Sequence, residues 1–116
     1  VLFIVSSDVV VAERLAQPLR DRGWTVETAT RDVEFACDRI GECRPVALVI
    51  PLDISAEARC DLGCVLTVAA NVRDTPVVFV GGDDVDRVAA AKIRNDATFV
   101  SAHELPWIVK RFASGN

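Results

Sequence analysis

Four aspartates are the side chains best suited to chemistry in this sequence, because all of them fall in short stretches that follow apolar runs. They are Asp8, Asp53, Asp83 and Asp84. Carboxylates that converge on one spot can ligate Mg²⁺, and a carboxylate can accept a phosphoryl group. Aspartates also cap helix N-termini and accept backbone N–H groups in turns. We interpret Asp8 and one of Asp83 or Asp84 as helix caps and Asp53 as a turn residue, with the chemical role as the alternative.

The other reactive side chains lack the spacing of a recognised site. His103 is the only histidine, and we interpret it as a solvent-facing loop residue, with a phosphoryl acceptor or metal ligand as the alternative. The four cysteines, at 37, 43, 60 and 64, form no Cys-x-x-Cys pair, so we predict reduced thiols and no zinc site. The pair Gly81-Gly82 precedes acidic residues that would repel phosphate, which favours a close backbone turn over an anion site.

The composition predicts one small globular domain without a membrane segment. The chain has 116 residues, of which 51% are hydrophobic, enough for a single apolar core. Its 13 basic and 17 acidic residues are interspersed and give a net charge of −4, so we expect no direct nucleic-acid binding. The longest apolar runs have the length of strands, and the first residues do not form a signal peptide, which predicts a cytoplasmic protein. Because methionine is absent from position 1, we expect the chain to be part of a longer protein.

The apolar pattern alternates strand and helix five times along the chain. The predicted strands cover 2–5, 24–30, 46–50, 77–80 and 97–101, and the predicted helices cover 9–22, 33–42, 57–70, 84–94 and 104–113. Asp8 and Asp32 are the predicted N-caps of the first two helices. Pro18 is expected to bend the first helix or weaken one of its turns, and Gly63 to weaken the middle of the third.

Five strand–helix units joined by short links predict a three-layer, doubly wound α/β fold around a five-stranded parallel sheet, since such crossovers are right-handed. In this architecture, function usually resides in the crevice outside the carboxyl ends of the strands. Four segments are predicted to border that crevice: Ser6-Ser7-Asp8, Pro51-Leu52-Asp53, Gly81-Gly82 and Ser101-Ala102.

These segments and their flanks resemble the response-regulator receiver family over nearly the whole chain. LFIVSSD is similar to that family's first strand and acidic loop, and LRDRGWTVETAT to the end of its first helix and its second strand. RPVALVIPLDIS, TPVVFVGG and ATFVSA are similar to the third, fourth and fifth strands with the loops that follow them. Five such segments in order imply a flavodoxin/CheY-like fold with strand order 2-1-3-4-5, and residues 1–114 as a single receiver-like domain.

The resemblance also shows where this chain departs from the family. Receivers use two acids after the first strand to hold Mg²⁺, an aspartate at the end of the third strand as phosphoryl acceptor, a Thr or Ser after the fourth strand and a Lys after the fifth. The matching positions hold Ser6, Ser7, Pro51, Gly81 and Ala102. All five differ from the family pattern.

The replacements predict a pocket without phosphorylation chemistry. Pro51 offers no nucleophile, Gly81 has no hydroxyl and Ala102 has no ammonium group. Phosphoryl transfer depends on positioning and charge neutralisation, and the replaced residues supply neither. We therefore predict no metal, no cofactor and no enzymatic activity. Asp53 as a displaced acceptor with Asp8 as metal ligand is the alternative.

Phe99 and Trp107 are the two aromatic residues near the end of the chain that could have a functional role. The resemblance places Phe99 at the family's switch aromatic, whose hydroxyl partner is Gly81 here, so phosphorylation-coupled switching is not expected. We expect Phe99 to rest on the fourth helix or on the sheet edge. Trp107 is either a core residue or a partly exposed interface anchor.

Receivers commonly contact partners through their fourth helix, fifth strand and fifth helix, and the resemblance implies the same face here. The candidate interface residues on this face form a locally basic set on an acidic protein. They are Arg87, Lys92, Arg94, Trp107, Lys110 and Arg111. The expected partner is another protein or another domain of the same chain, with a homodimer as a further option and with no membrane involved.

These expectations lead to one primary function. The chain is predicted to be a non-phosphorylatable pseudo-receiver that acts as a protein–protein interaction module in bacterial signal transduction. One alternative is an active phosphorelay receiver with Asp53 as acceptor, and another is a small-molecule sensor in a neutral cleft lined by Ser6, Ser7, Gly81 and Ser101. A nucleotide-binding enzyme of the same fold is disfavoured, because the first loop, SSDVVV, lacks Gly-x-Gly-x-x-Gly.

Overall fold

The computed structural model describes residues 1–29, 33–72 and 74–114, which form a parallel five-stranded sheet with helices on both faces. The strand order is β2-β1-β3-β4-β5, as the receiver resemblance implies. The strands are β1 Leu2–Val5, β2 Val26–Ala29, β3 Ala47–Pro51, β4 Val77–Val80 and β5 Thr98–Val100. The predicted end of the second strand, Thr30, and the predicted helix cap Asp32 lie outside the described residues.

Five α-helices and one 3₁₀ turn connect the strands. The helices are α1 Val9–Asp21, α2 Val33–Cys43, α3 Leu62–Asn71, α4 Asp84–Ile93 and α5 Leu105–Ser114, and the 3₁₀ turn is Ala58–Asp61. None of the helices in the described part of the chain has the length and hydropathy needed to cross a bilayer.

The sheet divides the core into two apolar layers, because successive side chains of a strand point to opposite faces. Leu2 and Ile4 of β1 pack with α1 and α5, whereas Phe3 and Val5 pack with α2, α3 and α4. All five residues of β3 are buried, which explains its continuous apolar run. The predicted three-layer, doubly wound fold is therefore confirmed.

The third helix differs from its prediction, which was one helix over 57–70. Ser55 Oγ accepts a hydrogen bond from the Ala58 N–H group at 3.2 Å and starts a 3₁₀ turn instead. The backbone leaves the helical region at Asp61 (φ −100°, ψ 4°), and α3 begins only at Leu62. Gly63 thus lies in the first turn of α3, where a glycine costs less helix stability than in the middle.

Helix α1 runs without interruption through Pro18. Pro18 lies on the exposed side of the helix, where its ring removes one backbone N–H donor. Asp8 is the N-cap of α1, as predicted, and its carboxylate accepts a hydrogen bond from the Val11 N–H group.

Candidate functional site

The loops that follow β1, β3 and β4 meet at the carboxyl edge of the sheet, where the crevice was predicted. The two serines of the first loop are used for structure. Ser6 is buried, and its hydroxyl oxygen accepts from the Asp8 N–H group at 3.0 Å and donates to the Asp8 carbonyl oxygen at 3.2 Å. Ser7 Oγ donates to the carbonyl oxygen of Ala58 at 2.7 Å, which ties the first loop to the 3₁₀ turn. Both hydroxyls are thus engaged in bonds to the backbone.

Asp8 has both carboxylate oxygens committed to backbone N–H groups. Oδ1 accepts from Val11 at 3.3 Å and Oδ2 from Ser55 at 2.9 Å. The Ser55 N–H group is the main cause that lowers the pKa of the Asp8 carboxyl below its ordinary value. The carboxylate is thus held between the first turn of α1 and the loop after β3.

Pro51 ends β3 in the position where the family places its phosphoryl acceptor. It is fully inside the sheet, opposite Val80 in the parallel register, and is buried. The next residue, Leu52, continues the ladder by donating its N–H group to the Val80 carbonyl oxygen at 2.8 Å. The strand therefore reaches the crevice in the expected register, and the side chain it presents there is a pyrrolidine ring.

Asp53 lies directly beside the glycine pair that follows β4. Its Oδ1 accepts a hydrogen bond from the Gly82 N–H group at 2.9 Å. A Cβ atom on Gly81 would lie 2.0 Å from Asp53 Oδ2 and 2.6 Å from its Cγ. Gly81 and Gly82 also have φ angles of +73° and +84°, which L-residues rarely adopt. The Asp53 carboxylate therefore occupies the space that a Thr or Ser side chain at position 81 would need.

A cation enters this region from the 3₁₀ turn. Arg59 forms a bidentate ion pair with Asp86 of α4, whose side chain is only 9% exposed. The pair lowers the pKa of the Asp86 carboxyl and raises that of Arg59, and the charges of Asp83 and Asp53 contribute further to the rise for Arg59. Arg59 was not predicted as a residue of this site. The resemblance places the family's cation after β5, and Arg59 falls inside the predicted third helix.

The β4–α4 loop is held by its own polar contacts as well. Of the two predicted caps, Asp83 and Asp84, it is Asp83 that caps α4. Its Oδ1 accepts a hydrogen bond from the Asp86 N–H group at 2.9 Å. Arg87 Nε donates to the Gly81 carbonyl oxygen at 3.2 Å. Together with Asp53, these contacts fix the start of α4 against the crevice.

The loop after β5 forms a helix cap rather than a phosphate contact. Glu104 accepts from both the N–H group and the hydroxyl of Ser101 at 3.1 Å, and Ser101 Oγ accepts from the Glu104 N–H group at 3.3 Å. These bonds lower the pKa of the Glu104 carboxyl. The Ser-x-x-Glu spacing is a capping-box signal that the sequence analysis overlooked. Ala102 and His103 are exposed and face α1, where they line a hollow with Arg14 and Pro18.

Within residues 1–29, 33–72 and 74–114, no three His, Cys, Asp or Glu side chains converge as a metal site. The four cysteines are free thiols, of which Cys60 and Cys64 are exposed. Cys43 donates to the carboxylate of Glu27, which also pairs with Arg39, so this thiol has a structural partner and a raised pKa.

Phe99 stacks on Phe79, its register partner on β4, with ring centroids 5.3 Å apart and an angle of 26° between the planes. It is half-buried at the sheet edge and packs against the core layer that contains Ala90 of α4. The structure thus places Phe99 in a packing role at the position of the family's switch aromatic.

The six interface candidates fall in three different environments. Arg87 and Lys92 are exposed on α4, and Arg111 is exposed on α5. Trp107 is 63% exposed, so its interpretation as a core residue is wrong, and together with Lys110 it lines a hollow on the α1 side of α5.

Arg94 was predicted as an interface residue, and this prediction is wrong, because its side chain is only 10% exposed and points inward. Its guanidinium donates to the carbonyl oxygens of Ala69, Val72 and Thr75 at 3.0, 2.6 and 3.1 Å, and it pairs with Asp96. Arg94 therefore closes the C-terminal end of α3 and joins it to the segment before β4.

Comparisons with known proteins agree with this architecture. No protein-family model and no curated protein sequence matches the chain. Among solved structures, a candidate response regulator from Chloroflexus aurantiacus J-10-fl matches with a TM-score of 0.71 and 25% identity, covering 97% of this chain and 96% of that one. NtrX from Brucella abortus matches with a TM-score of 0.69 and 22% identity, covering 97% of this chain but 26% of that one.

The fold is also found outside natural proteins. A de novo designed Rossmann 2x3 fold protein matches with a TM-score of 0.56 and 14% identity, covering 97% of this chain and 88% of that one. Identities this low show the fold alone. On the evidence of strand order, helix placement and the two response-regulator structures, the chain is a receiver-like domain with the CheY-like α/β fold.

Proposed function

We propose that the chain is a non-phosphorylatable pseudo-receiver, without enzymatic activity, that acts through protein contacts in bacterial signal transduction. The observation that carries the proposal is that Pro51 and the contact between Asp53 and Gly81 occur together at the end of β3. Pro51 removes the nucleophile at the acceptor position, and the Asp53 carboxylate fills the space beside it above Gly81. A phosphoryl group therefore finds no acceptor at position 51, and the Asp53 carboxylate stands where the hydroxyl that would bind it is expected.

The other polar side chains of the crevice also make structural contacts. Mg²⁺ prefers carboxylate oxygens, but the two positions that follow β1 hold neutral serines, whose hydroxyls bond to the backbone. The cation of the crevice, Arg59, is engaged by Asp86. The polar groups of the crevice thus stabilise one arrangement of three loops.

The surface proposed for partner binding is the α4–β5–α5 face, and its centre is an apolar stripe on α4. Val85, Val88 and Ile93 are 77%, 56% and 38% exposed. Together with Ala89 and Lys92 they follow the spacing i, i+3, i+4, i+7, i+8 and share one side of the helix. Among the described residues of α4 only Ala90 is buried, so most of the helix is available for contact.

Exposed apolar side chains gathered on one helix face are typical of protein contact sites. The partner is a second protein or another domain of the same chain, with a homodimer as the alternative.

The test of the central proposal is incubation with acetyl phosphate and Mg²⁺, followed by intact-mass measurement. We expect no species heavier by one HPO₃ unit. A stable adduct would overturn the proposal and favour the displaced-acceptor function, which Asp53 supports by being exposed at the crevice.

The acceptor would then be located with two matched variants. Asp53→Asn removes the candidate acceptor, and Asp74→Asn removes an exposed aspartate in the loop that precedes β4, at the opposite edge of the sheet. Loss of the adduct in Asp53→Asn but not in Asp74→Asn would establish Asp53 as the acceptor.

A further inference from the structure

The only two tryptophans of the chain line one hollow between the end of α1 and the first turns of α5. The hollow is lined by Arg22, Trp24, Pro106, Trp107 and Lys110. Trp24 is partly buried against the apolar layer under α1 and α5, whereas Trp107 is 63% exposed. The chain thus presents a large aromatic surface to solvent beside two cations.

Arg22 lies over the exposed indole of Trp107. Its guanidinium carbon lies 5.4 Å from the centroid of the Trp107 ring, within the range of a cation–π contact. A ring that is already positioned loses less conformational entropy when a partner covers it. Trp and Arg are also the residue types most enriched among the dominant contacts of protein interfaces.

A second hollow adjoins the first and shares Pro106 with it. Its lining residues come from α1 and from the loop and first turn of α5, and they are Arg14, Leu15, Pro18, Ala102, His103, Leu105 and Pro106. We call the two hollows together the α1–α5 groove.

The ionisable side chains that line the α1–α5 groove are all basic. Within the described residues, its ionisable lining side chains are Arg14, Arg22, His103 and Lys110, and no carboxylate lines it. This is a local excess of basic groups on a chain with a net charge of −4. Because the floor consists of Leu, Pro and Trp side chains, the groove combines apolar contact with attraction for anions.

We propose that the α1–α5 groove binds an acidic, extended segment of a partner protein. An apolar side chain of that segment enters the hollow beside Trp107, and flanking carboxylates pair with Arg22, Lys110 and Arg14. This site lies on the α1 side of α5, apart from the apolar stripe of α4, and it does not depend on whether the crevice accepts a phosphoryl group.

A nucleic-acid strand would also offer negative charge and stacking surfaces, but the charge of the whole chain favours the peptide. Nucleic-acid affinity rests on many phosphate contacts and on a basic field, and an acidic protein repels a polyanion. A short segment with a few carboxylates needs only the local cations of the groove.

The test is a selection from a random peptide library displayed on phage, with the wild-type chain as bait. Trp107→Ala and Arg22→Glu are the test variants, and Ala70→Glu, at an exposed position of α3 on the other face of the sheet, is the matched control. We expect enriched peptides that combine Asp or Glu residues with one Phe, Leu or Trp. Their affinity should fall about tenfold or more in Trp107→Ala and Arg22→Glu, stay unchanged in Ala70→Glu, and weaken with salt.

The binding site is then located by NMR, with the indole N–H signals of Trp24 and Trp107 as reporters. Saturable shifts of these signals on adding the selected peptide support the proposal. It is overturned if no peptide is enriched, if the enriched peptides lack acidic residues, or if they bind Arg22→Glu and Trp107→Ala as well as the wild type. A single-stranded oligothymidylate that binds more tightly than the peptides would assign the groove to nucleic acid instead.

Discussion

The Asp53 carboxylate lies against Gly81 and leaves no room for a side chain there. A Cβ atom on residue 81 would lie 2.0 Å from Asp53 Oδ2. The two residues are separated by β4 and α3 in sequence and meet only because β3 and β4 are neighbours in the sheet. A side chain at position 81 and the present position of the Asp53 carboxylate are thus mutually exclusive. Replacing Gly81 with Thr alone is not expected to rebuild a phosphate site.

Gly81→Ala should lower the free energy of unfolding by about 1–3 kcal/mol, because it forces a Cβ into the positive-φ region and displaces Asp53 from Gly82. In an Asp53→Ala background the same substitution should cost less, since the contact with the carboxylate is already gone. Urea denaturation of the two single variants and the double variant measures this coupling. Additive effects of the two substitutions would show that the contact does not contribute.

Asp86→Asn should destabilise the protein at neutral pH, because it leaves Arg59 without its charged partner at the start of α4. The folded-state pKa of Asp86 lies below its unfolded value of about 3.9. The ionised carboxylate therefore stabilises the fold above that unfolded value, and this contribution is lost as the pH falls through the folded pKa.

The difference in unfolding free energy between wild type and Asp86→Asn should accordingly be constant near neutral pH and shrink below about pH 4. Denaturation series at several pH values measure it. Glu13→Gln breaks a more exposed pair with Arg20 and is the matched control, for which we expect a smaller effect. A loss in Glu13→Gln as large as that in Asp86→Asn would contradict a special role for Arg59–Asp86.

Arg94→Gln should lower the unfolding free energy by about 1–3 kcal/mol, because three carbonyl oxygens at and beyond the end of α3 lose their donor. Arg94→Lys keeps the charge but not the planar fork, so we expect an intermediate loss. Lys92→Gln, on the exposed face of α4, is the control and should stay within about 0.5 kcal/mol of the wild type. Equal stability of Arg94→Gln and wild type would show that this clamp is dispensable.

Val88→Glu should leave the unfolding free energy within about 0.5 kcal/mol of the wild type, because the side chain is 56% exposed on α4. The same change places a charge in the apolar stripe and should abolish any self-association through that surface. Sedimentation velocity of wild type and variant tests both the homodimer and its location. A wild-type dimer that persists in Val88→Glu would move the contact to another face.

The fold could be predicted from local patterns, because β1, β3 and β4 are apolar runs and an aspartate caps both α1 and α4. The strands 2–5 and 77–80 were located to the residue, and Asp8 caps α1 as expected. The third helix was wrong at its start, because Ser55 initiates a 3₁₀ turn through a hydrogen bond that the apolar pattern does not encode.

The site was less predictable, because its contacts join residues that are far apart in sequence. Asp53 was expected to accept a backbone N–H group, and it does so from Gly82 across the crevice rather than within its own turn. Arg94 was predicted as a surface cation, because the carbonyl groups that it binds lie 19 to 25 residues away in the sequence. The exposure of Trp107 likewise depends on how α5 lies against α1, which residue types alone do not determine.

The amide signal of Gly82 offers the most direct test of the central claim, because its N–H group donates to Asp53 in the middle of the crevice. A ¹⁵N-labelled sample is titrated with beryllium trifluoride and Mg²⁺, which together mimic a phosphorylated aspartate, and with each component alone as control. We expect the Gly82 and Leu52 amide signals to stay in place at saturating concentrations. A saturable shift of these signals that requires both components would show that the crevice accepts a phosphoryl group and would contradict the account.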